Sequence, residues 1–363
     1  MSLLDRLKAQ IAQDGPIGVP EFFTRCLHDP RDGYYATRPA LGGLGAAGGD
    51  FITAPLVSQM FGELIGLWAI ETWTRMGRPS PFRLVEIGPG DGTLMSDLLR
   101  AGRLEPDFLA AAQVWLVEVS EPLRASQAAK LGDTPRWVGR LDEVPGGAPT
   151  ILIANELLDC LPARQFVRTK DGWAERVIGL DEAGELAFGL RGLGKSTDTP
   201  IPNPSPSDGE GSIWESSPAQ AALASDIAHR LVADGGAALL IDYGRAAPEA
   251  GDTLQALQNH QKVDPLKTAG LADLTVWADF PAVVAAARET GAKAGPVLTQ
   301  RDFLLALGID ARAQALASAR PDRADQVARQ LDRLVGEAQM GALFKVACLS
   351  APDLSPPLFE DAT

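Results

Sequence analysis

The chain has 363 residues, 45% of them apolar and 22% charged, so it can bury a full core as one large α/β domain with insertions or as two domains. Its 33 basic and 47 acidic residues leave a net charge of −14, the wrong sign for gripping a nucleic-acid backbone and the right one for attracting a basic peptide or protein. Three scattered cysteines (Cys26, Cys160, Cys348) make no CxxC pair, and three histidines (His28, His229, His260) stand at no ligand spacing, so no disulfide framework and no metal site is expected.

The opening Met1-Ser-Leu-Leu-Asp-Arg-Leu-Lys reads as an amphipathic helix rather than a signal or transit peptide. No apolar run approaches the ~20 residues that span a bilayer. A cytoplasmic protein with no membrane segment is the expectation. Residues 1–30 and 55–77 read as helical, and in the second stretch Leu56, Met60, Leu64 and Leu67 share one face. Between them a Gly-rich segment runs from Leu41 to Asp50 and ends in Gly49-Asp-Phe-Ile-Thr-Ala-Pro55, where the proline suits a helix start.

From Arg83 the pattern alternates strand and helix. Arg83–Ile87, Val114–Val119, Arg136–Leu141, Thr150–Asn155 and Ala237–Gly244 read as strands, with helices over 92–100, 121–130 and 219–233 between them. The fourth strand is apolar on both faces, as a central parallel strand must be. The spacing predicts a doubly wound α/β sheet, which binds ligands at the carboxyl ends of its strands. A hairpin over 173–180 and 185–190, a Pro-rich mobile loop over 195–212 and an insertion over 245–298 interrupt it. Helices near 300–307 and 312–335 precede a last strand from Phe344. The chain therefore divides into an N-terminal helical region (1–80), a core (81–244), the insertion (245–298), C-terminal helices with the last strand (299–350) and a tail (351–363).

Glu86-Ile-Gly88-Pro-Gly90-Asp-Gly92 joins the first strand to its helix. A dinucleotide site favours GxGxxG facing a pyrophosphate. Here the spacing is GxGxG with an acid two residues ahead, which would repel a pyrophosphate but anchor a cationic amino group. S-adenosylmethionine carries such a group and no phosphate. Glu118, closing the second strand, can accept hydrogen bonds from both ribose hydroxyls. After the fourth strand comes Asn155-Glu156-Leu-Leu-Asp159. If it turns helical, Glu156 and Asp159 are i and i+3 and share a face that could hold a guanidinium. Alternatively Asn155 caps a helix and the acids merely favour its N-terminus. Asp50 reads as a ligand contact or a helix N-terminal acid, and Tyr243 as a cleft or a core residue.

Asp32-Gly-Tyr-Tyr, Gly49-Asp-Phe-Ile-Thr-Ala-Pro, Val85-Glu-Ile-Gly-Pro-Gly-Asp-Gly-Thr-Leu, Leu116-Val-Glu-Val-Ser, Asn155-Glu-Leu-Leu-Asp, Ile241-Asp-Tyr-Gly and Asp273-Leu-Thr occur in an order that resembles the MidA family. That family includes a mitochondrial complex I assembly methyltransferase and bacterial relatives. The likeness spans about residues 20–350. It implies a Rossmann-like class I S-adenosylmethionine-dependent methyltransferase sheet, with an N-terminal helical region and inserted and C-terminal segments on the substrate side. It also implies methylation of an arginine on a protein, a complex I subunit. By motif, Asp50, Phe51 and Thr53, then Glu86, Gly88 and Gly90, then Glu118, Val119 and Asn155 line the cofactor pocket. Glu156 and Asp159 take the catalytic and arginine-binding roles, with Tyr243 on the substrate side. Asp91, Gln255 and Trp277 depart from the family pattern, which carries Arg, Arg and His there. A small-molecule acceptor, or a non-catalytic cofactor-binding assembly factor, are the competing readings.

Overall fold

The computed structural model describes residues 1–37, 53–193 and 209–360. The chain forms two compact units. One gathers Met1–Arg38, Asp159–Gln220 and Ala247–Asp279; the other gathers Pro39–Leu158, Ala221–Ala246 and Phe280–Thr363. This grouping differs from the linear division read off the sequence. The first helices join the hairpin region through non-local backbone pairing, Ile17 with Ile178 and Gly18 with Val177.

The larger unit is built on a sheet of six principal strands: β1 (Phe82–Ile87), β2 (Ala112–Val117), β3 (Arg136–Val138), β4 (Thr150–Asn155), β5 (Gly236–Arg245) and β6 (Phe344–Ser350). Their order is β6-β5-β4-β1-β2-β3. All neighbours are parallel except β6, which runs antiparallel to β5. From β1 the chain winds outward to β2 and β3 on one side and to β4 and β5 on the other. The point of reversal lies between β1 and β4, where an open α/β sheet leaves a crevice at its carboxyl edge.

Alternate residues of five adjacent strands, among them Leu84, Leu116, Ile153, Ile241 and Val346, enter one apolar core. The helix α1 (Gln59–Arg75) packs into the same core with Met60, Phe61, Leu64, Ile65 and Trp68. The predicted continuous helix from 55 is broken at Ser58, whose Oγ accepts the Met60 N–H at 3.3 Å and starts the helix afresh. That restart turns the face, and Leu67 lies outward at 39% exposure instead of joining Leu64. Helices α2 (Thr93–Gly102) and α3 (Glu121–Leu131) follow β1 and β2.

The smaller unit holds helices Leu3–Asp14 and Val19–His28 with an antiparallel sheet. In that sheet Ile17–Gly18, Gly172–Leu180, Arg164–Thr169 and Ile213–Ser216 follow one another, and Leu186–Gly192 pairs the far side of Gly172–Leu180. Arg164–Thr169 and Ile213–Ser216 are additions to the predicted hairpin. The insertion carries a three-stranded sheet of Gln261–Val263, Gln255–Gln258 and Asp273–Thr275. The Pro-rich loop predicted over 195–212 lies mostly outside the described residues. No helix among the described residues is long and apolar enough to cross a membrane.

Candidate active site

The turn from β1 into α2 is shaped by left-handed glycines. Gly88 has φ +65° and Gly90 φ +53°, conformations in which a Cβ is strained. At Gly88 a Cβ would also press on Leu157 Cδ1 at 3.0 Å, whereas at Gly90 it would enter open space. The Gly90 backbone is therefore open to close approach by a ligand. Asp91, where the family pattern has Arg, accepts the Thr93 N–H at 2.9 Å and the Lys130 ammonium at 2.7 Å. It stabilises the start of α2 and the contact of α3 with the loop.

Glu86 is buried two residues before Gly88. Burial, reinforced by the nearby Asp91 charge, pushes its carboxyl from near 4.5 to about 8, although the Met95 N–H donates to it. In the parallel register of β1 and β4, Ile87 faces Ala154, so Gly88 and Asn155 leave neighbouring strands side by side. Glu86 Oε2 and Asn155 Oδ1 are both buried acceptors without a hydrogen-bond partner among the described residues. Such orphans call for a partner, and an ammonium, whose charge favours the ionised form of Glu86, suits both. The residues present thus fit the amino-acid end of S-adenosylmethionine.

Glu118 follows β2 and is 7% exposed. Ser120 N–H donates to its Oε1 at 2.8 Å and Gln127 Nε2 to its Oε2 at 3.2 Å. Burial raises its carboxyl above the usual range against these bonds. Val119 beside it is 70% exposed, an apolar side chain left open at the sheet edge. On the opposite side of β1, Glu156 has φ +52° and sits outside any helix. The expected shared helical face of Glu156 and Asp159 therefore does not form, because the left-handed Glu156 breaks the chain before the short 3₁₀ turn Leu158–Cys160. Glu156 Oε1 accepts the Ala54 N–H at 2.8 Å and the Asn155 Nδ2 at 3.0 Å. Thr53 is the residue before that short helix, Ala54–Val57, and Asp50 and Phe51 lie outside the described residues. Tyr243 stacks edge-on against Phe344 with centroids 5.4 Å apart, and β5 continues past it to Arg245. Its ring thus packs on the neighbouring strand.

Asp159 belongs to the smaller unit, 5% exposed, its Oδ1 accepting the Cys160 thiol at 3.3 Å. Tyr35 joins this group: its hydroxyl lies 2.9 Å from Cys160 Sγ and donates to Asp273 Oδ1 at 3.0 Å. Three sequence motifs, Asp-Gly-Tyr-Tyr, the acidic turn and Asp-Leu-Thr, thus converge on one phenol. Burial, with the two aspartates adding, holds both Tyr35 and Cys160 well above their ordinary pKa values. Sequence reasoning missed this convergence, and it missed Gln127, which is fully buried beneath the glycine loop. One signal existed for the latter: Gln127 takes the place of an apolar residue between Leu123 and Leu131 on one helical stripe.

A GxGxG loop at the switch point, with a buried acid before it and a second acid closing β2, is the arrangement expected of a class I S-adenosylmethionine-dependent methyltransferase. Residues 64–297 match the family described as "Putative S-adenosyl-L-methionine-dependent methyltransferase". The protein arginine methyltransferase NDUFAF7, mitochondrial, of Danio rerio is 34% identical over 371 residues, covering 95% of this chain and 86% of that one. The Homo sapiens protein of the same name is 33% identical over 374 residues, covering 96% and 83%. A Burkholderia thailandensis protein solved bound to S-adenosyl-homocysteine superposes with a TM-score of 0.82 at 27% identity, covering 96% of this chain and 92% of that one. The chain belongs to this methyltransferase family, the MidA family of the sequence motifs, and its cofactor is S-adenosylmethionine. The relatives are named as mitochondrial proteins, which overturns the expectation of a cytoplasmic location.

Proposed function

We propose that the protein transfers the methyl group of S-adenosylmethionine to an arginine of a protein substrate. The observation that carries this reading is the extent of likeness, 95% of the chain at 34% identity, to a relative named as a protein arginine methyltransferase. The acidic balance of the chain suits a basic segment as substrate. When bound, the cofactor supplies an electrophilic methyl on a sulfonium. Gly88 and Gly90 offer backbone to it, Glu86 and Asn155 receive its amino group, Glu118 holds the ribose hydroxyls and Val119 covers the adenine, with Asp50, Phe51 and Thr53 contributing by motif. By the family resemblance, Glu156 orients the guanidine nitrogen for in-line approach and Asp159 is the carboxylate that takes a proton. Tyr243, whose ring packs on Phe344, keeps its substrate-side part by the family resemblance alone. By the family resemblance the client is a complex I subunit.

The test is intact-mass analysis of a complex I subunit incubated with enzyme and cofactor. A gain of methyl groups mapped to arginine supports the reading. S-adenosylhomocysteine released with no modified protein favours a small-molecule acceptor, and cofactor binding without turnover favours an assembly factor.

A further inference from the structure

We infer that Gln127 is a positioning residue for cofactor binding, tying the glycine loop to the carboxylate that faces the ribose. The inference rests on the proposed ribose role of Glu118. Gln127 lies in the middle of α3 and is fully buried. Its Nε2 donates to the Gly90 carbonyl at 2.7 Å and to Glu118 Oε2 at 3.2 Å, and its Oε1 accepts the Trp137 indole N–H at 2.8 Å. Only one orientation of the amide satisfies this set, because an indole N–H only donates, and a carbonyl and a carboxylate only accept. Trp137 on β3 therefore fixes which end of the amide faces the loop.

The contact is close as well as polar. A Cβ on Gly92 would meet the Cα and Cγ of Gln127 at 3.4 Å, so α3 lies directly on the glycine turn. Lys130, three residues on, reaches Asp91 of the same turn. One side chain thus links the backbone that approaches the ligand with the acid that holds its sugar. A group held in place by a buried partner binds without first being ordered, which is where preorganisation gains affinity.

The experiment is a double-mutant cycle on S-adenosylhomocysteine affinity, read by calorimetric titration of the full chain. The near-isosteric Gln127→Met should weaken binding about tenfold, the worth of one hydrogen bond to a charged group. It should raise the KM for cofactor and leave kcat at saturating cofactor within about twofold, a split that general loosening of the fold would not give. In an E118A background its effect should shrink, because the carboxylate it orients is gone. Trp137→Phe, which keeps Gln127 and removes the indole donor, should weaken binding by a smaller factor and keeps the idea testable if Gln127→Met folds poorly. Wild-type affinity in both Gln127→Met and Trp137→Phe, beside a weakened E118A, overturns the inference while leaving the ribose reading in place. Full multiplication of the two single effects also overturns it. Unchanged affinity in E118A overturns the ribose reading and the link with it.

Discussion

Glu156 accepts the Ala54 backbone N–H through Oε1 at 2.8 Å, so the segment after β4 is fastened to the first turn of the helix that follows the Gly-Asp-Phe-Ile-Thr motif. Two motifs far apart in sequence meet at one charge-assisted bond, of the kind that outweighs a neutral one about twofold. The same carboxylate takes the Asn155 amide, leaving Asn155 Oδ1 turned to a buried position without a hydrogen-bond partner among the described residues. Glu156 therefore orders the residues beside the cofactor loop whatever else it does.

Replacing Glu156 by Gln keeps one acceptor for Ala54 and removes the charge. Methyl transfer in a single turnover should fall by about tenfold or more, as expected when a nucleophile is misplaced, while cofactor affinity changes little. Full turnover with a lowered melting temperature would return Glu156 to a purely structural part. A companion pair separates the backbone from the carboxylate. At φ +52° a glycine is unstrained, so Glu156→Gly should be more stable than Glu156→Ala by about 1 kcal/mol in urea unfolding.

At Gly90 a Cβ meets no atom of the described residues within 4 Å, so a valine there is opposed chiefly by the positive φ. Gly90→Val should cost roughly 1–2 kcal/mol of stability from that conformation. It should also abolish measurable S-adenosylmethionine binding, since the branched chain fills the space through which a ligand reaches backbone. A variant that melts a few degrees lower yet titrates normally would remove the glycine loop from the cofactor site.

Much of this was legible in the sequence, for a physical reason. Strands β1, β2, β4 and β5 are buried on both faces over most of their length and so appear as largely apolar runs, and the glycines between β1 and α2 mark a turn no other residue makes easily. Arg164–Thr169 and Ile213–Ser216 are short and mix charge with apolar residues; the first pairs locally with Gly172–Glu175, but its pairing with Ile213–Ser216 joins segments about fifty residues apart. The segment after β4 misled because a helix pattern of spacing says nothing of one left-handed residue, Glu156. Gln127 and Tyr35 take their polar contacts from groups distant in the chain: the first looks like a polar residue in a helix and the second like a core aromatic.

Glu86 makes stability depend on pH in a direction opposite to most carboxylates. Its proton is held up to about 8 in the folded protein against about 4.5 in an unfolded chain. Between those values the native state binds the extra proton, so unfolding free energy falls as pH rises through that window and is level outside it. Thermal melts of the cofactor-free protein should decline from pH 5 to pH 8 more steeply than those of Glu86→Gln, which has no proton to lose. Parallel curves for the two proteins would mean that Glu86 is ionised throughout.

Asp159 offers the sharpest division between structure and chemistry. Its carboxylate accepts the Cys160 thiol, its carbonyl accepts the Val276 N–H at 3.1 Å, and Cys160 in turn meets Tyr35, which donates to Asp273. If the role of Asp159 is confined to this group, Asp159→Asn keeps an acceptor for a weak thiol donor and should cost no more than about 1 kcal/mol. Methyl transfer would then survive. On the proposed function the substrate guanidinium needs the negative charge, and burial of that charge makes its loss count more than it would in water. Single-turnover methylation by Asp159→Asn should then drop by about tenfold or more with cofactor affinity intact. Tyr35→Phe supplies the control: it removes the hydroxyl that braces Asp273 and Cys160 and leaves both carboxylates in place. A rate loss in Asp159→Asn alone assigns the effect to charge on the substrate. Equal losses in the two variants, with equal falls in melting temperature, would assign it to the bracing network and withdraw Asp159 from the chemistry.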